Sequence, residues 1–115
     1  FDLIISINTI HYSNGADIEK ALNLWKNKLK FNGRLFIETA GPNHDFVKDS
    51  KRINKNNWVW GKKSGFRRGK SAGFFDDENH WEETLKNIFS KVSVGRVTEK
   101  SEFNTIDFLT ALCVN

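Results

Sequence analysis

The chain has 115 residues, 38% of them hydrophobic, and a formal net charge of +4. This length suffices for one domain with a modest core and is too short for two domains. The single cysteine, Cys113, excludes an internal disulfide framework and favours a reducing compartment such as the cytoplasm. No apolar run is long enough to span a bilayer and no signal peptide is recognisable, so we expect no membrane partner. The chain contains no methionine and begins inside a core strand, which predicts that it is a piece of a longer protein.

The stretch FDLIISINTIHY opens the chain with a short apolar run, residues 3–7, rich in β-branched side chains. Such a run is typical of a strand that is buried on both faces of a parallel sheet. Ligands of open α/β sheets bind just beyond the carboxyl ends of the strands. We therefore expect the chemistry in the five residues that follow the run: Asn8, Thr9, Ile10, His11 and Tyr12.

A helix is predicted next, from about Asp17 to Lys30, with Asn14 or Asp17 as its cap. Its apolar residues follow the spacing of one helical face: Ile18, Ala21, Leu22, Trp25 and Leu29. Asn32-Gly33 supplies a left-handed stop, and the sequence RLFIET, residues 34–39, predicts a second strand. A strand, a helix and a strand within forty residues indicate a right-handed crossover and hence a parallel pair.

Residues 43–75 break this pattern. We predict a short helix around Asp45–Ile53 and otherwise a long irregular excursion, which in compact domains is usually functional or mobile. From Lys48 to Lys70 nine lysines and arginines face one acidic residue, with Trp58 and Trp60 interleaved. We expect this basic segment to be the most mobile and most anion-attracting part of the surface. Its glycines lack the preceding apolar strand that a phosphate-binding loop requires.

The last forty residues predict a helix followed by two strands. An apolar face is formed by Trp81, Leu85, Ile88 and Phe89, and Asn79 with Glu82 forms a possible variant of the capping box. Valines in residues 92–97 and the apolar run in residues 106–114 predict the two strands. The short polar link between them favours an antiparallel pair.

FDLIISINTIHY and the later sequence LWKNKLKFNGRLFIET together carry a resemblance. They are similar to the fourth strand, the following helix and the fifth strand of class I S-adenosylmethionine-dependent methyltransferases. LKFNGRL stands where that family typically has LKPGG before an apolar strand. The final helix and two strands resemble the closing antiparallel hairpin of the family, whose last strand inserts beside the fifth.

The resemblance implies an α/β fold, namely the carboxyl-terminal half of a Rossmann-like methyltransferase sheet. The chain would form a single partial domain, with a strand-helix-strand unit in residues 1–40, a variable basic substrate region in residues 41–75, and a helix and closing hairpin in residues 76–115. Counting the four strands predicted here, the order in the sheet would be first, second, last and third. The edge of the first strand would remain unpaired. We therefore expect a homodimer or a companion chain joined through Phe1–Ile7, or poor solubility.

The resemblance also implies S-adenosylmethionine as the cofactor and a small-molecule methyl acceptor as the substrate. The family binds the cofactor through a glycine-rich loop and an acidic residue, and neither lies in this chain. The activity is therefore expected of the intact parent protein. The isolated chain should be inactive and bind the cofactor weakly or not at all.

By the same resemblance, Asn8 and Thr9 would contact the methionine part of the cofactor, and Ile10 would lie under its sulfonium. A polar turn and plain core are the alternatives for these residues. His11 is the candidate catalytic residue, as a general base, although a purely structural histidine is an alternative. Tyr12 would pack on the acceptor or wall the pocket.

Trp58 and Trp60 are further candidates for binding the substrate. His44 and His80 have no partners at the spacing of metal ligands, so no metal site is expected. Glu38 ends the second strand, where an exposed carboxylate is the preferred interpretation. Two other functions stay open. Basic residues with interleaved tryptophans can also bind nucleic acid or phosphate, and the chain could be a non-catalytic scaffold.

Overall fold

A computed structural model describes all 115 residues of the chain. The α-helices and strands, in chain order, are β1 (Leu3–Ile7), α1 (Gly15–Lys28), β2 (Arg34–Ala40), α2 (Asp45–Asp49), β3 (Lys51–Asn54), β4 (Asn57–Val59), β5 (Ser71–Ala72), α3 (Glu78–Lys86), β6 (Lys91–Lys100) and β7 (Thr105–Val114). Short 3-10 helices cover Ile10–Tyr12 and Lys62–Arg67. No helix combines the length and the apolar character that crossing a membrane requires.

The strands form two sheets, so the fold is mixed α/β. The larger sheet has the order β1-β2-β7-β6, in which β1 and β2 are parallel and β7 is antiparallel to both of its neighbours. This confirms the predicted order of first, second, last and third strand. The smaller sheet is antiparallel, with the order β3-β4-β5.

Local signals place the first helix where the periodicity predicts it. The side chain of Asn14 accepts a hydrogen bond from the amide of Asp17 at 2.9 Å, so Asn14 is the cap and the helix begins at Gly15. Ile18 and Leu22 are buried against the sheet. After the helix, Asn32 takes the left-handed conformation with φ 60°.

The main core lies on one face of the larger sheet, under α1 and α3. Leu35, Ile37 and Leu109 are fully buried there, together with Trp81 of α3. The indole Nε1 of Trp81 donates a hydrogen bond to the carbonyl of Thr110 at 3.2 Å, which fixes α3 on β7. Both helices therefore cover the same side of the sheet.

The opposite face of the sheet is open, which corrects the prediction that β1 is buried on both faces. Leu3, Ile5 and Ile7 remain 52%, 60% and 50% exposed, and Leu112 of β7 is also exposed on this side. The prediction was wrong because a run of apolar residues reports hydrophobicity and carries no information about which faces have a helix on them. Only the face of β1 that carries Ile4 is packed against the core.

Residues 41–75 are more ordered than the predicted irregular excursion. The helix ends at Asp49 instead of Ile53, and the chain then forms the smaller sheet. A second cluster of apolar side chains stabilises this region: Ala40, Val47, Trp60, Ala72 and Phe74. The three strands have only two to four residues each, too few to show an alternating pattern in the sequence.

Asp107 on β7 belongs to a charged network that links β7, β6 and α3. Its carboxylate is fully buried and accepts two hydrogen bonds at 2.8 Å from Arg96 of β6, which also pairs with Glu78 of α3.

At the start of α3 the side chain of Asp77 accepts a hydrogen bond from the amide of His80 at 2.8 Å. Asp77 is thus the cap of α3, and the predicted capping box at Asn79 is wrong.

Candidate functional site

The candidate site begins where β1 ends. Asn8 has a left-handed backbone, with φ 53°, and its amide donates to the carbonyl of Glu38 at 3.0 Å. Its side-chain Oδ1 is buried without a hydrogen-bond partner. A buried acceptor without a donor is costly, and strained backbone is concentrated at functional sites. Asn8 therefore combines two features of a binding residue.

Thr9 and Ile10 have different environments. The hydroxyl of Thr9 hydrogen-bonds that of Ser6 at 2.7 Å, which ties the turn back onto β1. Ile10 is buried in the main core with the residues of α1 and the sheet. The turn thus presents Asn8 on one side and anchors itself through Ile10 on the other.

His11 is only 4% exposed and packs on Trp60 and Phe74 of the second apolar cluster. Its Nδ1 accepts a hydrogen bond from the amide of Ala40 at 3.3 Å and lies 3.1 Å from the hydroxyl of Thr39. Because the amide can only donate, Nδ1 is the unprotonated nitrogen and the ring proton is assigned to Nε2. This turn is consequently joined to the end of β2.

Burial is the main cause that lowers the pKa of His11 from 6.5 to about 4, and the charges of His44 and Arg67 contribute in the same direction. The imidazole is therefore neutral at pH 7. Its basic nitrogen already accepts the Ala40 amide, so the geometry favours donation of a hydrogen bond by Nε2 over removal of a proton from a substrate.

Tyr12 and Trp60, both predicted to bind the substrate, come together in the structure. Their ring centroids are 5.5 Å apart at an interplanar angle of 31°, and His11 lies 4.7 Å from Tyr12. Trp60 is buried in the second cluster, whereas Tyr12 is 43% exposed. Tyr12 is thus the solvent-accessible ring of an aromatic cluster whose other rings, those of Trp60 and His11, are buried.

Trp58 lies on β4 of the smaller sheet. It packs on Phe74 at 5.5 Å between ring centroids, with the guanidinium of Arg52 over its outer face at 5.2 Å. No contact joins its ring to that of Tyr12. The structure therefore brings Tyr12 and Trp60 into one site and leaves Trp58 beside it.

Arg67 is a site residue that the sequence did not single out. Its guanidinium carbon lies 4.8 Å from the ring centre of Tyr12, 5.9 Å from that of Trp60 and 4.6 Å from that of Phe66. In the sequence Arg67 is one of nine basic residues in Lys48–Lys70. Nothing local distinguishes it, because Tyr12, the partner that brings it to the site, lies far away in the chain.

The remaining histidines have local roles. His44 is the cap of α2, where its Nδ1 accepts from the amide of Phe46 at 3.2 Å. His80 lies 3.6 Å from a carboxylate oxygen of Asp76. No group of three or more His, Cys, Asp or Glu side chains in the chain could hold a metal ion.

A separate cleft of about 340 Å³ lies between α1, α3 and the turn at Lys55–Asn56. Its lining includes the charged side chains of Glu19 and Glu83, together with Gly73 and Phe74. None of the residues proposed from the sequence to bind cofactor or substrate lines this cleft.

Comparison with known proteins does not assign the chain to a family. No protein-family model matches the chain, and no curated protein matches it.

Proposed function

We propose that this chain supplies the carboxyl-terminal half of an S-adenosylmethionine-dependent methyltransferase domain that acts on a small molecule. The observation that supports this most directly is the strand order β1-β2-β7-β6. The last strand lies beside β2, antiparallel to it, with β6 on the outside. This is the arrangement that the resemblance implies for the closing hairpin of the family.

The free edge of β1 provides a second line of support. The amide of Asn8 and the carbonyl of Asp2 bond to β2, so by the alternation of a parallel ladder the amides of Leu3, Ile5 and Ile7 point away from it. The side chains of the same three residues lie on the open face. An unpaired edge and an uncovered apolar face at one strand are where the other half of such a domain would pack.

The cofactor, when bound, supplies an electrophilic methyl group that needs no further activation by the protein. The end of β1 fits the ammonium group of the cofactor, because the unpartnered Oδ1 of Asn8 can accept a hydrogen bond from it. Tyr12 would orient the acceptor through its exposed ring, and His11 would donate a hydrogen bond from Nε2. Positioning of donor and acceptor would then provide most of the rate.

A photolabelling experiment tests the proposal. The protein expressed from its complete gene is irradiated with methyl-labelled S-adenosylmethionine, and the labelled peptides are mapped. We expect label in residues 8–12. Asn8→Gly, which keeps the left-handed backbone and removes the amide, should reduce it. Asn32→Gly is the matched control, since Asn32 is the other non-glycine residue with positive φ. Absence of binding, or label confined to other peptides, would overturn the proposal.

Binding of nucleic acid is the second candidate function, and the surface around Phe66 is the observation that favours it. The exposed ring of Phe66 lies under Arg67 at 4.6 Å and Lys70 at 5.8 Å, so a base could stack where cations are close. Fluorescence anisotropy with a labelled single-stranded oligonucleotide tests it. A linear fall of log affinity with log salt concentration, reduced by Phe66→Ala, would support this function, and a salt-independent signal would exclude it.

A further inference from the structure

Arg67 is held by aromatic rings and by no carboxylate. It is the last residue of the 3-10 helix Lys62–Arg67 and is half-buried. Its guanidinium lies against the rings of Tyr12, Trp60 and Phe66. Such cation-π contacts fix the position of the charge and leave the donors at the rim of the guanidinium free.

Two other arginines have acidic partners. Arg52 pairs with Asp76 at 2.9 Å, and Arg96 pairs with Asp107 at 2.8 Å. The side chain of Arg67 makes neither a salt bridge nor a hydrogen bond to the protein, although every residue of the chain is described. A fixed, partly desolvated cation with five unused donors is suited to bind an anion in two parallel hydrogen bonds.

Two neighbours define what kind of anion fits. The ring of Tyr12 is 43% exposed although Arg67 lies over it, so the part that Arg67 leaves uncovered offers apolar surface beside the charge. His11, 4.7 Å from Tyr12, is neutral at pH 7 because its burial, and to a lesser extent the charges of His44 and Arg67, lower its pKa. The site therefore presents the guanidinium of Arg67 next to an aromatic surface, which matches an anionic group on a planar molecule.

We propose that the acceptor site binds a small planar carboxylate, whose carboxylate group Arg67 holds while its ring contacts the exposed part of Tyr12. The planar fork of the guanidinium matches the two oxygens of a carboxylate. This inference rests on the proposed function for the claim that the ligand is the methyl acceptor. The binding itself requires no cofactor.

Benzoate is a suitable probe, with benzamide as its uncharged equivalent and phenyl phosphate as the dianionic competitor. Binding to the 115-residue chain is followed by NMR shifts of the indole NH of Trp60. Arg67→Gln removes the charge, and Arg68→Gln is the matched control, because Arg68 is exposed and makes no aromatic contact. Retention of the Trp81 indole signal, which reports its bond to Thr110, shows that each variant is folded.

We expect benzoate to bind more tightly than benzamide. Arg67→Gln should weaken benzoate binding by about 10- to 100-fold and leave benzamide unchanged, as the loss of a charge-assisted pair predicts. Arg68→Gln should leave both affinities within about twofold, as for surface substitutions away from a site.

Equal affinities for benzoate and benzamide, an equal loss in Arg68→Gln, or tighter binding of phenyl phosphate would each overturn the inference. Its failure is distinguishable from failure of the proposed function. Benzoate binding without photolabelling of residues 8–12 would reject only the methyltransferase, and photolabelling without benzoate binding would reject only the carboxylate site.

Discussion

The backbone amide of Ala40 donates a hydrogen bond to Nδ1 of His11 across 3.3 Å, which joins the turn after β1 to the end of β2. The bond requires an unprotonated nitrogen, so it selects the neutral imidazole. A protonated ring would lose this bond and would place a charge in a site that is almost completely buried. The fold and the charge state of His11 are therefore coupled.

This coupling predicts that acid destabilises the protein before its carboxylates titrate. The pKa of His11 falls from 6.5 to about 4, so between these values the unfolded chain binds more protons than the folded chain. The free energy of unfolding should be highest above pH 6.5. It should decrease by on the order of 3 kcal/mol as the pH falls to about 4. Urea denaturation at pH 7.0 and at about pH 4.5 measures the difference.

His11→Gln should flatten this dependence. Part of it should remain, because burial also lowers the pKa of His44, which acts in the same direction although Asp45 and Asp107 oppose it. An unchanged pH dependence in His11→Gln would contradict the assigned charge state.

The buried pair of Arg96 and Asp107 predicts a strongly non-additive response to mutation. Burial alone would raise the pKa of Asp107, but the hydrogen bonds from Arg96, the Asn43 amide and Thr98 lower it, so the carboxylate is charged. Arg96→Met leaves this charge unpaired and should destabilise the fold by about 3–5 kcal/mol. Adding Asp107→Asn should recover part of that loss. Guanidinium denaturation of both single variants and the double variant measures the coupling, and simple additivity would show that the pair is not coupled.

Cys113 should be unreactive in the folded protein. Its side chain is fully buried in β7, and burial raises the pKa of the thiol to about 12. Because the thiolate is the reactive form, an aromatic disulfide reagent should modify Cys113 only after unfolding. Stopped-flow absorbance with and without denaturant measures this, and rapid reaction of the folded chain would show that β7 opens locally.

The isolated chain should bind S-adenosylmethionine weakly or not at all, since the proposal assigns the main cofactor-binding loop to the other half of the domain. Isothermal titration calorimetry with the 115-residue chain tests this. One-to-one binding in the micromolar range would contradict the assignment of this chain to half a domain.

The free edge and open face of β1 predict association of the isolated chain. The amides of Leu3, Ile5 and Ile7 have no strand beside them, and their side chains are exposed on one face. Ile5→Lys should reduce association measured by sedimentation velocity. Leu24→Lys is the matched control, because Leu24 is an equally exposed residue on α1. A stable monomer at high concentration with slow hydrogen exchange in Leu3–Ile7 would contradict the prediction.

The larger sheet was predictable because its signals are local. The apolar spacing of α1 and its cap at Asn14 belong to neighbouring residues, and the parallel pair follows from the length of the crossover between β1 and β2. The position of β7 between β2 and β6 came from the resemblance, and the structure confirms it. The smaller sheet was not predictable, since strands as short as Ser71–Ala72 form only by pairing with distant residues.

The candidate site divides in the same way. The sequence alone located Asn8, His11 and Tyr12, because polar residues after an apolar strand mark the edge of a sheet where ligands bind. Tertiary structure alone decided that Arg67 lies over Tyr12, that burial keeps His11 neutral, and that one face of β1 is open. The partners and the charge state of a side chain depend on the residues that folding brings next to it. The order of residues along the chain does not show which residues these are.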